Sequence, residues 1–201
     1  YRHRWQWQRM NGRPQGQLRI IAGKWRSRRL FFSDQKHLRP TPDRVRETVF
    51  NWLQAEVPGS RCLDVFAGSG ALGFEAASRG AAEVVMIEQN PEAASALTRN
   101  IELLNAGNIQ PVIADAIEWL KNNQRRFDIV FLDPPYKAGL LGKCCEILES
   151  GQSLAENAKI YLEHAPGDDK IIIPESWECL KHKSAGQVTY KLFSRASPHI
   201  A

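Results

Sequence analysis

From residue 61 onward, short apolar runs alternate with longer helical patterns: RCLDVF then ALGFEAASR, EVVMIE then PEAASALTRNIELL, IQPVIA then AIEWLKNN, and FDIVFLD then a helical stretch near 138–149. This alternation specifies repeated βα units built around a parallel sheet. Pro91 at the start of one helical pattern and Gly80 just past the end of another obey the capping rules that bound such units. After Gly151 the pattern changes. NAKIYLEHA, WECLKHKS and GQVTYKLFS read as strands with little helix between the last two, so a sheet that begins parallel closes with a hairpin. A chain of 201 residues, 43% of them hydrophobic, supplies core for one domain with a small appendage.

Upstream of this region, PDRVRETVFNWL (42–53) has helical periodicity, with Val45, Val49, Trp52 and Leu53 on one face and Thr41 placed to cap the N-terminus. LRIIAGKWRSRRLFF (18–32) carries two apolar runs flanking a Gly23-Lys24 turn signal, which predicts a hairpin presenting Lys24, Arg26, Arg28 and Arg29 on a rigid support. Residues 1–17 have neither sheet nor helix periodicity and read as a basic, disordered arm. The expected division is therefore arm 1–17, hairpin extension 18–38 and main domain 39–201.

Charge is distributed unevenly. Residues 1–50 hold thirteen Lys/Arg against Asp34, Asp43 and Glu47, a net of +10, whereas the whole chain carries only +5, leaving −5 for the rest. A basic arm on a mildly acidic body is the layout of a nucleic-acid binder, because neutralising phosphates releases counterions. No run of about 18 uncharged apolar residues is present and the N-terminus has no signal-peptide core, so a cytoplasmic protein without a membrane partner is expected. Cys62, Cys144, Cys145 and Cys179 form no C-x-x-C pair and are expected to be reduced, structural thiols, with no metal site.

Two motifs carry chemistry. FAGSGALGFEA (66–76) spaces Gly68, Gly70 and Gly73 as G-x-G-x-x-G after a strand, and Glu88 ends the next strand. Such glycines let a ligand lie against backbone and let the helix approach the sheet closely, and an acid at that place accepts hydrogen bonds from ribose hydroxyls. Nicotinamide dinucleotides and S-adenosylmethionine both use this arrangement, so these residues do not discriminate between them. FLDPPY (131–136) does. Pro134 and Pro135 end the apolar strand by removing two backbone donors, at the edge where open α/β sheets bind ligands. The Asp133 carboxylate and the freed Pro134 carbonyl can converge on one small group, and two acceptors suit an amino group with two N–H donors. Tyr136 beside them offers a ring on which a base can stack.

With these motifs the chain resembles class I S-adenosylmethionine-dependent methyltransferases that modify exocyclic amino groups. More narrowly, RIIAGKWRSRRL, RPTPDRVRETVFNWL, LDVFAGSGALGFEAASRGA, IEQN and FLDPPY, in this order, resemble the bacterial 16S rRNA guanine-N2 methyltransferase family D over about residues 18–195. The resemblance implies a Rossmann-like α/β fold: a seven-stranded, mostly parallel sheet with an antiparallel last strand and a small N-terminal hairpin. It implies S-adenosylmethionine as cofactor and 16S rRNA of the small subunit as partner; an assembled or assembling subunit is the expected form of that partner, and a monomer is expected. By resemblance, Asp64, Ala67, Gly68, Ser69 and Gly70 contact the methionine end of the cofactor, Glu88 its ribose and Asp115 its adenine. Arg39, Pro40 and Thr41 match a segment placed near the catalytic face, with Arg39 and Thr41 on the cofactor side. Asp133, Pro134, Pro135 and Tyr136 form the catalytic segment; the charge of the hairpin, not the resemblance, assigns RNA binding to Lys24, Arg26, Arg28 and Arg29. The implied reaction is direct methyl transfer to guanine N2 without a covalent enzyme intermediate. His164, near the end of a later strand, is left out of the site.

The alternatives explain less. A DNA adenine-N6 methyltransferase shares FLDPPY but needs a target-recognition region, for which the sixty or so residues between the two motifs leave no room. A nicotinamide oxidoreductase gives FLDPPY no task, and a non-catalytic RNA-binding module gives none to the glycine loop with Glu88.

Overall fold

The computed structural model describes residues 15–33, 41–135, 139–165 and 171–196. A two-stranded antiparallel hairpin, β1 (Gln15–Arg19) and β2 (Arg29–Ser33), opens the described chain. It is followed by α1 (Asp43–Trp52), β3 (Arg61–Asp64), α2 (Ala71–Ser78), β4 (Glu83–Glu88), α3 (Pro91–Leu104), β5 (Ile109–Ile113) and α4 (Ala116–Asn122). Then come β6 (Phe127–Leu132), α5 (Leu140–Ser150), β7 (Leu154–His164), β8 (Trp177–Ala185) and β9 (Val188–Arg195). Strand β1 begins at Gln15, three residues inside the segment expected to be an arm. Gly16 accounts for this, since it leaves room for the Phe32 ring, which a Cβ there would meet at 2.2 Å. Residues 1–14 and 34–40 lie outside the described residues.

The main sheet has the order β5-β4-β3-β6-β7-β9-β8. Strands β3 to β7 are mutually parallel, and β9 enters antiparallel between β7 and β8. The α/β alternation and the closing hairpin read from the sequence are thus both present. Apolar side chains fill both faces of the central strands, as a parallel sheet covered on two sides requires. On one face Cys62, Met86, Ile129, Phe131 and Tyr161 pack with α1, α2, α3 and the hairpin. On the other, Leu63, Val85, Val130, Leu132 and Ile160 pack with α4 and α5. Cys62, Cys144 and Cys145 are free and buried, and burial pushes their thiols up to about 12, so they stay protonated as core groups. Among the described residues no helix is long and apolar enough to cross a membrane.

A buried charge cluster locks the hairpin to the body. Glu75, fully buried on α2, accepts hydrogen bonds from the backbone N–H groups of Ile21 (2.8 Å) and Ala22 (3.0 Å) and from Arg79 Nε (2.7 Å). Arg46 Nη1 lies 3.5 Å from the same carboxylate, and Arg46 Nη2 donates to the Arg19 carbonyl at 2.9 Å. Arg46 therefore belongs to the buried face of α1 with Val45, Val49 and Phe50, while Trp52 is only partly buried and stacks beside Tyr190. Periodicity alone assigns an arginine to solvent; its ion pairs with Asp43, one turn before it on α1, and with Glu75 reverse that assignment.

Candidate active site

The carboxyl ends of β3, β4, β6 and β7 lie side by side along one edge of the sheet, so side chains from the ends of four strands are brought together there. At the end of β3, Asp64 is 1% exposed and accepts the Gly73 N–H at 3.0 Å, which ties the strand to the first turn of α2. Burial, opposed by that bond and reinforced by the nearby Glu88 charge, raises Asp64 to about 7. Gly68 (φ 52°) and Gly70 (φ 79°) take left-handed conformations, and a Cβ on Gly73 would meet Met86 of β4 at 2.8 Å. The glycines thus serve the tight turn and the close helix–sheet approach expected of them. Ala67 and Ser69 are buried within the loop.

Glu88 is half-buried at the end of β4. Its Oε2 accepts from Gly68 N at 2.9 Å and its Oε1 from Asn90 N at 2.7 Å, so one carboxylate fixes both the glycine loop and the start of α3. Asp115 follows β5 as the N-cap of α4, accepting from Glu118 N at 3.0 Å. It is exposed.

Strand β6 delivers Asp133 and Pro134 between the glycine loop and β7. Asp133 is half-buried, Pro134 buried and Pro135 exposed. Thr41 Oγ1 donates to Asp133 Oδ2 at 3.2 Å. Thr41 was expected to cap α1, but Pro42 occupies the cap position and no side chain caps that end. Pro42 supplies its carbonyl to Val45 N and Arg46 N and leaves the threonine hydroxyl free for the aspartate. Burial raises Asp133 well above the carboxylate range, Glu163 raises it further, and the Thr41 bond works against both. Arg39, Pro40 and Tyr136 lie outside the described residues.

Glu163 has no place in the sequence reading. It ends the alternation of IYLEH on β7, one residue beyond the Leu132–Leu162 pair, and so stands next to Asp133 in register. Phe131 and Tyr161 pack ring against ring two residues earlier, which puts Asp133 and Glu163 on the same face of the sheet. Tyr161 donates its O–H to Glu163 Oε2 at 2.8 Å. Burial raises the Glu163 carboxyl and this bond opposes the rise. The available signal was an acid at the end of an otherwise apolar buried strand. The neighbouring His164 points away from this face, 4% exposed, with Nδ1 2.9 Å from the Ala165 carbonyl.

The basic residues divide. Lys24, Arg26, Arg28 and Arg29 are all exposed. Lys24 N donates to the Ser78 carbonyl, and Arg28 Nη2 to the Leu103 carbonyl at 3.4 Å. These anchor the turn at the carboxyl ends of α2 and α3, opposite the glycine loop. Arg29 differs: with Gln17, Arg19, Thr41, Asp43 and Arg46 it lines a cleft of about 370 Å³ between the hairpin and α1. Thr41 connects this cleft to Asp133. Arg19, assigned no role from the sequence, therefore stands nearer the catalytic edge than three of the four residues that were.

Strand order, antiparallel β9, the glycine loop with Glu88 and the Asp-Pro-Pro end of β6 define a methyltransferase of the Rossmann-like class. The family model described as "Conserved hypothetical protein 95" matches residues 18–194, and the chain belongs to that family. It is 44% identical over 180 residues to the ribosomal RNA small subunit methyltransferase D of Escherichia coli, covering 90% of this chain and 91% of that protein. The protein of the same name from Haemophilus influenzae is 43% identical, with 89% and 94% covered. Among solved structures, a putative methyltransferase from Escherichia coli superposes with a TM-score of 0.84 at 44% identity, covering 90% of this chain and 99% of that one. The tRNA m1G37 methyltransferase of M. jannaschii, 18% identical with a TM-score of 0.68 and 94% and 58% covered, shares the fold.

Proposed function

We propose that the protein transfers the methyl group of S-adenosylmethionine to the exocyclic N2 amino group of a guanine in 16S rRNA. The observation that carries this reading is the position of Asp133. It stands at the end of β6, beside the β3 glycine loop, with the Pro134 carbonyl next to it. The names of the relatives support small-subunit ribosomal RNA as the substrate.

The donor set of the edge fits this cofactor better than a dinucleotide. Asp64, Glu88, Asp115, Asp133 and Glu163 all lie at carboxyl ends of strands or just after them. Their field favours a sulfonium cation and opposes a pyrophosphate. The upward-shifted Asp64 and Asp133 are groups whose charged forms gain from a cation nearby. Asp64 and the loop from Ala67 to Gly70 would hold the methionine part, Glu88 the ribose hydroxyls and Asp115 the adenine, and Arg39 and Thr41 are assigned to the cofactor as well, Thr41 from beside Asp133. When bound, the cofactor supplies an electrophilic methyl group.

Guanine N2 is a weak nucleophile because its lone pair is delocalised into the ring. Hydrogen bonds from its two N–H groups to Asp133 and the Pro134 carbonyl favour a pyramidal nitrogen and stabilise the positive charge that develops on it. Thr41 keeps the Asp133 carboxylate aimed and acceptor-ready. The same carboxyl, raised by burial, can take the proton that N2 releases afterwards. The target base must leave its stack to reach this edge, and Tyr136 is the ring assigned to receive it. Lys24, Arg26, Arg28 and Arg29 contribute phosphate contacts, with Arg29 nearest the site.

Methyl transfer from labelled S-adenosylmethionine to unmethylated 16S rRNA, naked and assembled into small subunits, tests the reading once the product nucleoside is identified. N2-methylguanosine is expected. Methylated adenosine as the product, or no transfer to either substrate, would overturn it.

A further inference from the structure

The Asp133–Glu163 pair presents two carboxylates side by side on one face of the sheet, at neighbouring strand ends spaced about 4.8 Å apart. The glycine loop lies on the β3 side of Asp133 and Glu163 on the β7 side, so a base offered to Asp133 from beyond the cofactor meets Glu163 as well. Glu163 is 4% exposed. Tyr161 donates to its Oε2 and so fixes the orientation of the carboxylate. A carboxylate so enclosed and oriented, at the edge where a base must enter, can give its other oxygen to a ligand donor.

We infer that Glu163 is the residue that specifies guanine: its Oε1 accepts the N1–H while Asp133 accepts the N2–H. The inference rests on the reading of the site given above and deepens it. The Watson–Crick edge of guanine places two donor positions, N1–H and N2–H2, next to one another. Adenine places an acceptor, N1, beside its amino group. With the sulfonium cation bound beside them the two carboxylates are favoured in their ionised forms, which only accept, so the adjacent pair matches guanine and sets an acceptor against the N1 lone pair of adenine. Sites built to bond a particular N–H reject analogues lacking it far more strongly than apolar pockets reject a methylene, because a buried acceptor is left unmatched. The Asp-Pro-Pro motif serves amino groups in general; Glu163 supplies the second half of the code.

The test compares the methylated guanine of 16S rRNA with 2,6-diaminopurine placed at the same position by ligation of synthetic RNA, in whichever form of the substrate wild-type protein accepts. Diaminopurine keeps the N2 amino group and turns N1 into an acceptor. Wild-type protein should prefer guanine by about ten-thousandfold in kcat/KM. In Glu163→Gln, the Tyr161 O–H bonds the amide oxygen and turns the amide N–H2 toward the base, now a match for an N1 acceptor. The preference should shrink by about tenfold or more, or invert, while calorimetry shows that the variant still binds S-adenosylmethionine. A wild-type ratio near one, or the same ratio in wild type and Glu163→Gln, overturns the inference and leaves N2 methylation standing. Because the wild-type ratio needs no variant, the inference stays testable if Glu163→Gln fails to fold. Absence of N2-methylguanosine from the wild-type product sinks the underlying reading itself.

Discussion

Thr41 and Asp133, ninety-two positions apart in sequence, meet through a 3.2 Å hydrogen bond that joins the start of α1 to the end of β6. The bond favours the charged carboxylate, against the burial and the Glu163 charge that raise it. Thr41→Val should therefore push Asp133 higher still. The acid limb of the single-turnover rate–pH profile should move to higher pH, and the rate at neutral pH should drop roughly fivefold, the worth of one ordinary hydrogen bond. Thr41→Ser should restore both. A Thr41→Val profile that superposes on wild type would show that the contact has no catalytic consequence.

Asp133→Ala should fold and bind cofactor, since Asp64, the glycine loop and Glu88 are untouched, yet lose methyl transfer. Removing a single preorganised group from a developing charge costs roughly 2.7–4 kcal/mol, on the order of a hundred- to a thousandfold in rate. Asp133→Asn should be milder because its amide oxygen still accepts. Single-turnover kinetics on preformed complexes isolates this step, and a near-normal Asp133→Ala rate would reduce the motif to a turn.

Glu88→Ala should weaken binding of S-adenosylmethionine and its demethylated product by roughly 1.5–3 kcal/mol, as expected for hydrogen bonds to a charged group. The loss has a second source: Gly68 N and Asn90 N also give up their acceptor, so the loop loses its brace. Calorimetry should show this, and hydrogen exchange at Gly68 should quicken in the unliganded variant. Full cofactor affinity in Glu88→Ala would remove this carboxylate from the site.

Asp64 makes the unliganded fold pH-dependent. Its carboxyl rises from the ordinary 3.8 to about 7 on folding, so the native state binds the proton more tightly. Its contribution is complete below about pH 4 and is lost as pH climbs through 7, at roughly 1.4 kcal/mol per unit. Asp64→Asn keeps an acceptor for Gly73 N and carries no charge. The variant should match wild type near pH 4 and exceed it by a few kcal/mol at pH 8 in denaturant unfolding. Parallel stability–pH curves for the two proteins would refute the assignment.

Replacing Glu75 by Ala should loosen the hairpin before it affects the sheet. The change leaves Arg46, 1% exposed, with Asp43 alone as its carboxylate, removes the partner of Arg79, and strands the Ile21 and Ala22 N–H groups. Breaking a buried pair in this way costs about 3–5 kcal/mol. Melting temperature should fall, with early proteolytic cleavage between β1 and β2. An unchanged melting temperature would mean that the cluster contributes nothing to holding the hairpin.

What the sequence determines by itself is what contiguous residues encode. The alternation after residue 61 specifies βα units, because strand and helix periods are local properties of the chain. Gly68, Gly70 and Gly73 specify a tight turn and a close helix approach, and Pro134-Pro135 specify where β6 ends, through backbone sterics within a few residues. Pairings between distant segments belong to the tertiary structure. Periodicity does not state that β7 lies beside β6 in the register that sets Glu163 against Asp133, nor that Thr41 leaves its own helix to reach the same carboxylate. Arg46 and Glu75 each look like solvent-facing charges in isolation, and only the cluster the folded chain builds around them, Asp43 beside Arg46 and Arg79 beside Glu75 with the two facing one another, permits both to be buried. The basic turn shows the same limit: composition marked its charge, but the anchoring of Lys24 to Ser78 decides that it faces away from the catalytic edge, because a charge acts where the fold carries it.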